Sequence, residues 1–174
     1  MFSIPRQLRL PFVLSVTAML IVICGIAITR YRDRAQAATE QAPVEATLVT
    51  LTNDQRVANN LEPLAWNANL YRAATQKAAD MFEHQYFDHI SPSGITPWQF
   101  IRQEYRYLEA GENLAIDFQN PVRAIPAWMD SPSHRENILN SNYQDIAIVS
   151  TTGTMNGQQT TIIIQMFGQP DFLQ

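Results

Sequence analysis

The sequence predicts an α+β domain in which helices come first along the chain and a β-hairpin comes last. Apolar residues recur at helical spacing after residue 43, and the pattern changes near residue 146 to β-branched residues flanking an Asn-Gly pair. Hydrophobic residues make up 46% and charged residues 16% of the 174 residues, which argues against a disordered chain. Because Cys24 is the only cysteine, no disulfide forms within the chain and an apolar core must hold the fold.

The amino-terminal region is interpreted as a targeting region. It consists of a basic segment (1–9), a signal anchor or signal peptide (10–29) and a linker (30–43). The uncharged run from Leu10 to Ile28 has the length of a membrane-spanning helix. Ala35-Gln36-Ala37 resembles a cleavage site, but three arginines between the apolar run and that site are unusual for a cleaved signal. The sequence therefore favours an uncleaved membrane anchor, with secretion after cleavage near Ala37 as the alternative.

Charge is distributed unevenly between the two parts of the chain. Residues 1–43 carry five arginines and two acids, a net charge of +3, whereas residues 44–174 carry seven basic and fourteen acidic residues, a net charge of −7. Nucleic-acid binding depends on neutralising phosphates with basic side chains. The acidic globular part therefore excludes nucleic acid as an expected partner.

The globular domain is expected over residues 44–170, followed by a short tail at 171–174. Its helices are recognised by apolar residues every three or four positions, by Asn67 as an N-cap and by prolines at first helical positions. They are expected at 44–60, from Asn67 to Phe82, from Thr96 to Tyr105, from Pro121 to Trp128 and after Pro132. Two strands are expected at 146–152 and 160–167, with Asn156-Gly157 in the turn between them.

Three residues attract attention as site candidates. His89 lies where the second helix passes into a Ser-Pro-Ser-Gly turn, a common position for functional residues. His134 is expected in the first turn of the helix that starts at Pro132, where Asp130 or Ser131 can cap and the helix dipole disfavours an imidazolium. Glu112 follows a glycine that permits a tight bend, and it stands among small and apolar residues, so it needs a partner. Judged from the neighbouring residues alone, each of the three side chains could have either a structural or a functional role.

A set of short motifs, read in order, strengthens the functional interpretation. They are Asn53-x-x-Arg56, Leu64-x-Trp66, Leu70-x-x-Ala73, Phe87-x-His89-x-Ser91, Gly111-Glu112-Asn113, Trp128-x-x-Ser131-x-x-His134-x-x-Asn137-Ile138-Leu139 and Gln165-x-Phe167-Gly168. This order resembles the CAP superfamily, the cysteine-rich secretory protein, antigen 5 and pathogenesis-related 1 group with its SCP-like domain. The resemblance covers about residues 47–169 and is strongest to the cysteine-free bacterial single-domain members.

The resemblance implies a three-layer α-β-α sandwich with a small, largely antiparallel sheet, and an extracytoplasmic location. It also implies a cleft with two histidines and two acids, in which His89 and His134 match the histidines and Glu112 matches one acid. The second acid, expected soon after the first histidine, is not found, because residues 90–103 contain no carboxylate and Glu104 comes late. The resemblance further suggests that the cleft is lined by Asn113, Ser131 and Gln165.

Two imidazoles and a carboxylate suit Zn²⁺ or another divalent cation. One hypothesis is therefore a membrane-tethered binding module whose metal-capable cleft recognises a lipid, a glycan or another envelope component. The other is a metal-assisted hydrolase of peptide or ester bonds, in which Glu112 is catalytic. The missing second acid favours binding over catalysis. The serines at 91, 93, 131 and 133 occupy turn or cap positions, which explains them without a nucleophilic role.

Overall fold

The computed structural model describes residues 44–172, which belong to one compact unit. Five α-helices, one 3-10 turn and four strands make up this part of the chain. In chain order they are α1 (44–58), β1 (Ala65–Trp66), α2 (Ala68–Glu83), α3 (Pro97–Glu104), β2 (Tyr107–Ile116), the 3-10 turn (Pro121–Arg123), α4 (Ala124–Asp130), α5 (Pro132–Ile138), β3 (Asp145–Met155) and β4 (Gln158–Pro170).

The mixed α+β class predicted from the sequence is confirmed, and several helix starts fall where they were expected. Asn67 caps α2, because its Oδ1 accepts hydrogen bonds from the backbone N–H groups of Asn69 and Leu70 at 2.9 and 3.3 Å. Thr96 and Gln99 form a capping box at the start of α3, with Pro97 at the first helical position. Local sequence signals therefore determine where these helices begin.

The four strands form one sheet in the order β1-β3-β4-β2. β1 runs parallel to β3, and the other two pairings are antiparallel. β3 and β4 are the predicted hairpin, joined by Asn156 and Gly157 with φ values of +51° and +78°. Positive φ at both central residues is the geometry that makes Asn-Gly a favoured hairpin turn.

Two hydrophobic cores lie on opposite faces of the sheet, because successive residues of β4 point to alternate sides. Ile162, Ile164 and Met166 pack with α2 and α3, for example against Leu70 and Ile101. The other face of β4 contributes to the core that receives the helices α1, α4 and α5, through Leu48, Ala124, Ile125, Trp128, Ile138, Ile163 and Phe167. The sheet thus lies between two helical layers.

One expectation about the middle of the chain is wrong. Gly111 was expected at a tight bend, whereas it lies inside the ten-residue strand β2 and pairs with Phe167 of β4. Its missing side chain matters for another reason. A Cβ at Gly111 would lie 2.5 Å from the Tyr143 hydroxyl and 2.8 Å from Oδ1 of Asn137. Glycine is required here for close packing rather than for turning the chain.

A buried arginine joins the end of α1 to the end of α5. Arg56 is 1% exposed, and its Nε donates to the backbone carbonyl of Glu62 at 2.9 Å. Its Nη1 donates to the carbonyls of Ile138 and Asn140, both at 2.8 Å. Its Nη2 donates to the carbonyl of Tyr143 at 3.5 Å. Burial lowers the pKa of the guanidinium, but these four backbone acceptors compensate part of the cost of desolvating it.

The predicted basic segment 1–9, the signal anchor or signal peptide 10–29 and the linker 30–43 lie outside the described residues. Of the predicted tail, residues 171 and 172 are described. No helix within residues 44–172 combines the length and the apolar character that crossing a bilayer requires.

Candidate functional site

The predicted histidines and glutamate come from three different elements. His89 lies in the bend at residues 88–90 that follows α2, Glu112 lies in the middle of β2, and His134 lies in the first turn of α5. We call these three residues the His–Glu site.

His89 and Glu112 form a direct hydrogen bond between an exposed ring and a buried carboxylate. Nδ1 of His89 lies 2.7 Å from Oε1 of Glu112, and the side chains are 50% and 1% exposed, respectively. Oε2 of Glu112 is buried and has no hydrogen-bond partner within the described part of the chain. A buried carboxylate that contacts an imidazole fixes the orientation of the ring and leaves Nε2 as the ring nitrogen available to other groups.

The electrostatics of this pair favour the retention of one proton between the two side chains. The hydrogen bond to Glu112 raises the pKa of His89, with burial opposing it and the charges of Glu112 and Asp88 adding to it. Burial raises the pKa of Glu112, while the hydrogen bond to His89 opposes that shift. The pair therefore holds its proton more tightly than either side chain would in water.

His134 has different surroundings and is expected to be neutral. Its Nδ1 lies 2.9 Å from the Oγ of Ser131, and burial is the main cause that lowers the pKa of its imidazole. The charge of His89 lowers that pKa as well. Ser131 occupies the N-cap position of α5 without making the expected side-chain capping bond, because its hydroxyl contacts His134 instead.

Amide side chains bond α5 to the strand that carries Glu112. Nδ2 of Asn137 lies within hydrogen-bonding distance of the backbone carbonyl of Glu112, at 3.1 Å, and of Oδ1 of Asn113, at 2.8 Å. Nδ2 of Asn113 contacts the carbonyl of His134 at 3.1 Å and Oε1 of Gln165 at 3.0 Å. Asn113 and Gln165 were predicted to line the cleft, yet both are 0% exposed. They lie in the interior, where Asn113 bonds the main chain of His134 to β2 and Gln165 bonds Asn113.

The second acid that the resemblance implies does not come from Glu104. That residue lies at the end of α3, where it pairs with Arg72 at 2.7 Å and accepts a hydrogen bond from Gln76 at 2.8 Å. The carboxylate that acts on His89 besides Glu112 is Asp88, whose charge raises the pKa of the imidazole.

Lys77 is the residue near the site that sequence analysis missed. It is 0% exposed, and its Nζ donates to the backbone carbonyl of His89 at 2.8 Å and to the hydroxyl of Tyr86 at 2.9 Å. The sequence does contain a signal, because Lys77 occupies a position on the apolar face of α2 between Ala74 and Met81. A charged residue in an apolar stripe has to find partners in the interior.

The predicted metal ligands are not arranged as a three-ligand centre. Oε1 of Glu112 is engaged by His89. Within residues 44–172, no group of three or more His, Cys, Asp or Glu side chains is placed to hold an ion. This arrangement does not fit Zn²⁺ coordination by His89, Glu112 and His134 together. Divalent-cation binding therefore stays a prediction from the resemblance.

A sheet between two helical layers and a histidine bonded to a buried glutamate are consistent with an SCP-like domain. Comparison with family sequences agrees with the geometry, since the model described as "CAP: Cysteine-rich secretory protein family" matches residues 49–167. The chain belongs to the CAP family. The resemblance inferred from the short motifs is thereby confirmed.

Individual relatives are similar over the same region. The chain is 38% identical over 105 residues to the uncharacterized protein YkwD of Bacillus subtilis (strain 168), matching 60% of this chain and 41% of YkwD. It is 30% identical over 109 residues to the uncharacterized membrane protein YlbC of the same strain, matching 62% of this chain and 32% of YlbC. The matches therefore span less than half the length of either relative.

A crystal structure of an extracellular protein containing an SCP domain, from Bacillus anthracis str. Ames, shares the fold. Its TM-score is 0.63 at 27% sequence identity, over 74% of this chain and 41% of that one. The mixed fold with a small sheet and five helices is consistent with this family. Extracellular and membrane proteins both occur among the relatives.

Proposed function

We propose that this chain is an extracytoplasmic CAP module, tethered to a membrane by its amino-terminal apolar segment, that binds a hydroxyl-rich ligand of the cell envelope at the His–Glu site. A glycan is the ligand class that fits the chemistry best. The accessible Nε2 of His89 can donate or accept a hydrogen bond according to the protonation of the ring, and sugar hydroxyls offer both functions. The lipid class is the alternative ligand, and the experiment below includes it.

The hydrogen bond between His89 and Glu112 is the observation that carries this proposal. A buried acid stabilises an imidazole that is half exposed, so the ring is oriented by the interior and remains accessible from outside. Binding sites commonly combine a few oriented polar groups with a rigid support. Strand β2 is such a support, because it pairs with β4 along most of its length.

Tethering and location are supported by the sequence and by the relatives. The run Leu10–Ile28 is long enough to span a bilayer, and the globular part is acidic. One relative is named a membrane protein and another an extracellular protein. These names describe those proteins, and they agree with an anchored domain outside the cytoplasm.

A hydrolase is the second candidate function, and the same hydrogen bond favours it. An imidazole oriented by a buried carboxylate can act as a general base through Nε2. The hydroxyl of Ser131 lies 2.9 Å from Nδ1 of His134, so it contacts the other histidine of the site and not His89. No step through a metal ion is needed for this candidate, and Glu112 acts by positioning His89.

We expect the full-length chain in detergent to bind soluble chito-oligosaccharides or muramyl peptides in calorimetric titrations, because His89 and His134 offer oriented hydrogen-bonding groups. His89→Ala and His134→Ala should each weaken binding by about tenfold, the effect of losing one hydrogen bond of about 1.4 kcal/mol. His84→Ala is the matched control, since His84 is the remaining histidine and contacts Asp80 on α2.

Several outcomes separate the alternatives in that experiment. Equal affinity of wild type and both site variants would contradict the proposal. Binding to phosphatidylglycerol vesicles instead of glycans would identify the lipid class. Turnover of the glycans or of a peptide and ester panel, lost in Glu112→Gln, would identify the hydrolase. Thermal unfolding with and without Zn²⁺ tests the divalent-ion prediction, which requires a rise in Tm that His89→Ala and His134→Ala abolish.

A further inference from the structure

Lys77 is a buried cation that the proposed function does not use. Its side chain projects from α2 into the core that contains Tyr86 and Phe100, and its Nζ lies 4.8 and 5.5 Å from the centroids of those rings. Burial lowers the pKa of the ammonium, while the charges of Glu112, Asp80 and Asp88 oppose that shift. Burying a cation costs free energy, so a buried lysine needs hydrogen bonds to specific partners in the interior.

The hydrogen bonds of Lys77 converge on the segment that carries His89. Nζ donates to the His89 carbonyl at 2.8 Å and to the Tyr86 hydroxyl at 2.9 Å. The Tyr86 hydroxyl in turn donates to Oδ2 of Asp80 at 2.5 Å. Residues 86–89 are thus attached at two points to side chains of α2.

These contacts connect a rigid helix to an irregular segment. His89 lies in a bend with no ladder of backbone hydrogen bonds to hold it. The hydrogen bond from Nζ of Lys77 to the backbone carbonyl of His89 restrains the main chain at His89. The ring of this same residue contacts Glu112. Charge-assisted hydrogen bonds are stronger than neutral ones, so one such bond can fix a short bend.

We propose that Lys77 is a positioning residue of the His–Glu site, which acts through the His89 carbonyl to hold the imidazole against Glu112. The expected effect on ligand binding rests on the proposed function, whereas the positioning of His89 by Lys77 rests on these contacts alone. Lys77 touches the main chain of His89 and not the imidazole, so it acts through His89 and has no direct contact with a ligand.

The test uses the full-length protein with ¹⁵N-labelled histidine. In the wild type, the His89 Nδ1–H that contacts Glu112 should give a downfield, slowly exchanging proton resonance, because the bond to a buried carboxylate protects it. Lys77→Met removes the ammonium at similar side-chain volume, and we expect this resonance to disappear. Glycan binding should weaken by about tenfold through the loss of the oriented imidazole.

Gln76→Met is the matched control for damage to α2. Gln76 is the neighbour of Lys77 on the same helix, and it bonds Glu104 away from the site. The His89 resonance should persist in this variant. A resonance that persists in Lys77→Met at wild-type intensity would overturn the proposal, and so would its loss in Gln76→Met together with Lys77→Met.

A measurement on the wild type keeps the proposal testable if Lys77→Met does not fold. A scalar coupling through the hydrogen bond, between Lys77 Nζ and the His89 carbonyl carbon, should be detectable, and its absence would overturn the proposal. The two proposals fail in different ways. If the wild type binds no glycan while Lys77→Met still loses the resonance, the proposed function fails and the positioning role stands.

Discussion

Replacement of Arg56 by methionine should lower the free energy of unfolding by about 3 kcal/mol, since each buried carbonyl that loses its donor costs about 1–3 kcal/mol and relief from burying the guanidinium offsets part of the total. Four backbone carbonyls lose their donor in this variant, those of Glu62, Ile138, Asn140 and Tyr143. Urea denaturation measures the effect, and the slope of the transition should stay unchanged because the folded state remains compact.

Arg72→Met is the matched control for Arg56. Arg72 pairs with Glu104 at 2.7 Å, but its side chain is 54% exposed. Exposed ion pairs contribute less than about 1 kcal/mol, so this variant should unfold near the wild-type midpoint. Equal destabilisation by the two substitutions would show that the buried arginine has no special role in joining α1 to α5.

Glu112→Gln is expected to lower the pKa of His89. The hydrogen bond to Glu112 is the largest cause that raises this pKa, and burial, which remains in the variant, acts in the opposite direction. NMR titration of the His89 Cε1–H follows the shift directly. An unchanged pKa in Glu112→Gln would mean that the imidazole does not depend on the carboxylate.

The same pair makes a contribution to stability that depends on pH. Because the folded-state pKa of His89 lies above its ordinary value of 6.5, the contribution is fully present below pH 6.5. It is lost as the pH rises through the raised pKa. In Glu112→Gln the stability lost as the pH rises should be smaller, because the hydrogen bond that raises the pKa of His89 in the folded state is weakened.

Much of the fold could be predicted from the sequence because its signals are local. The cap at Asn67, the proline at the start of α3 and the turn at Asn156-Gly157 each act within a few residues. Strand β2 could not be found this way, because Gly111-Glu112-Asn113 is small and polar instead of alternating. Its pairing with β4 joins residues 46 to 63 positions apart, from Ile116–Ile162 to Tyr107–Pro170, which local patterns do not encode.

The site was predicted only in part, for similar reasons. The motif order identified His89, Glu112 and His134, but sequence alone could not show that the glutamate bonds His89 directly. The resemblance placed Asn113 and Gln165 at the lining of the cleft, yet both are buried, and a shared hydrogen-bond network makes their burial tolerable. Lys77 was missed although a charged residue in the apolar stripe of α2 indicates a buried side chain with interior partners.

Titration of His134 in the wild type and in His89→Ala tests whether the two imidazoles share one site. The charge of His89, after burial, lowers the pKa of His134. Removing His89 should therefore raise the pKa of His134 in NMR titrations of its ring protons, while His84→Ala should leave it unchanged. A His134 pKa that is the same in wild type and His89→Ala would contradict a common site, because two neighbouring imidazoles cannot titrate independently.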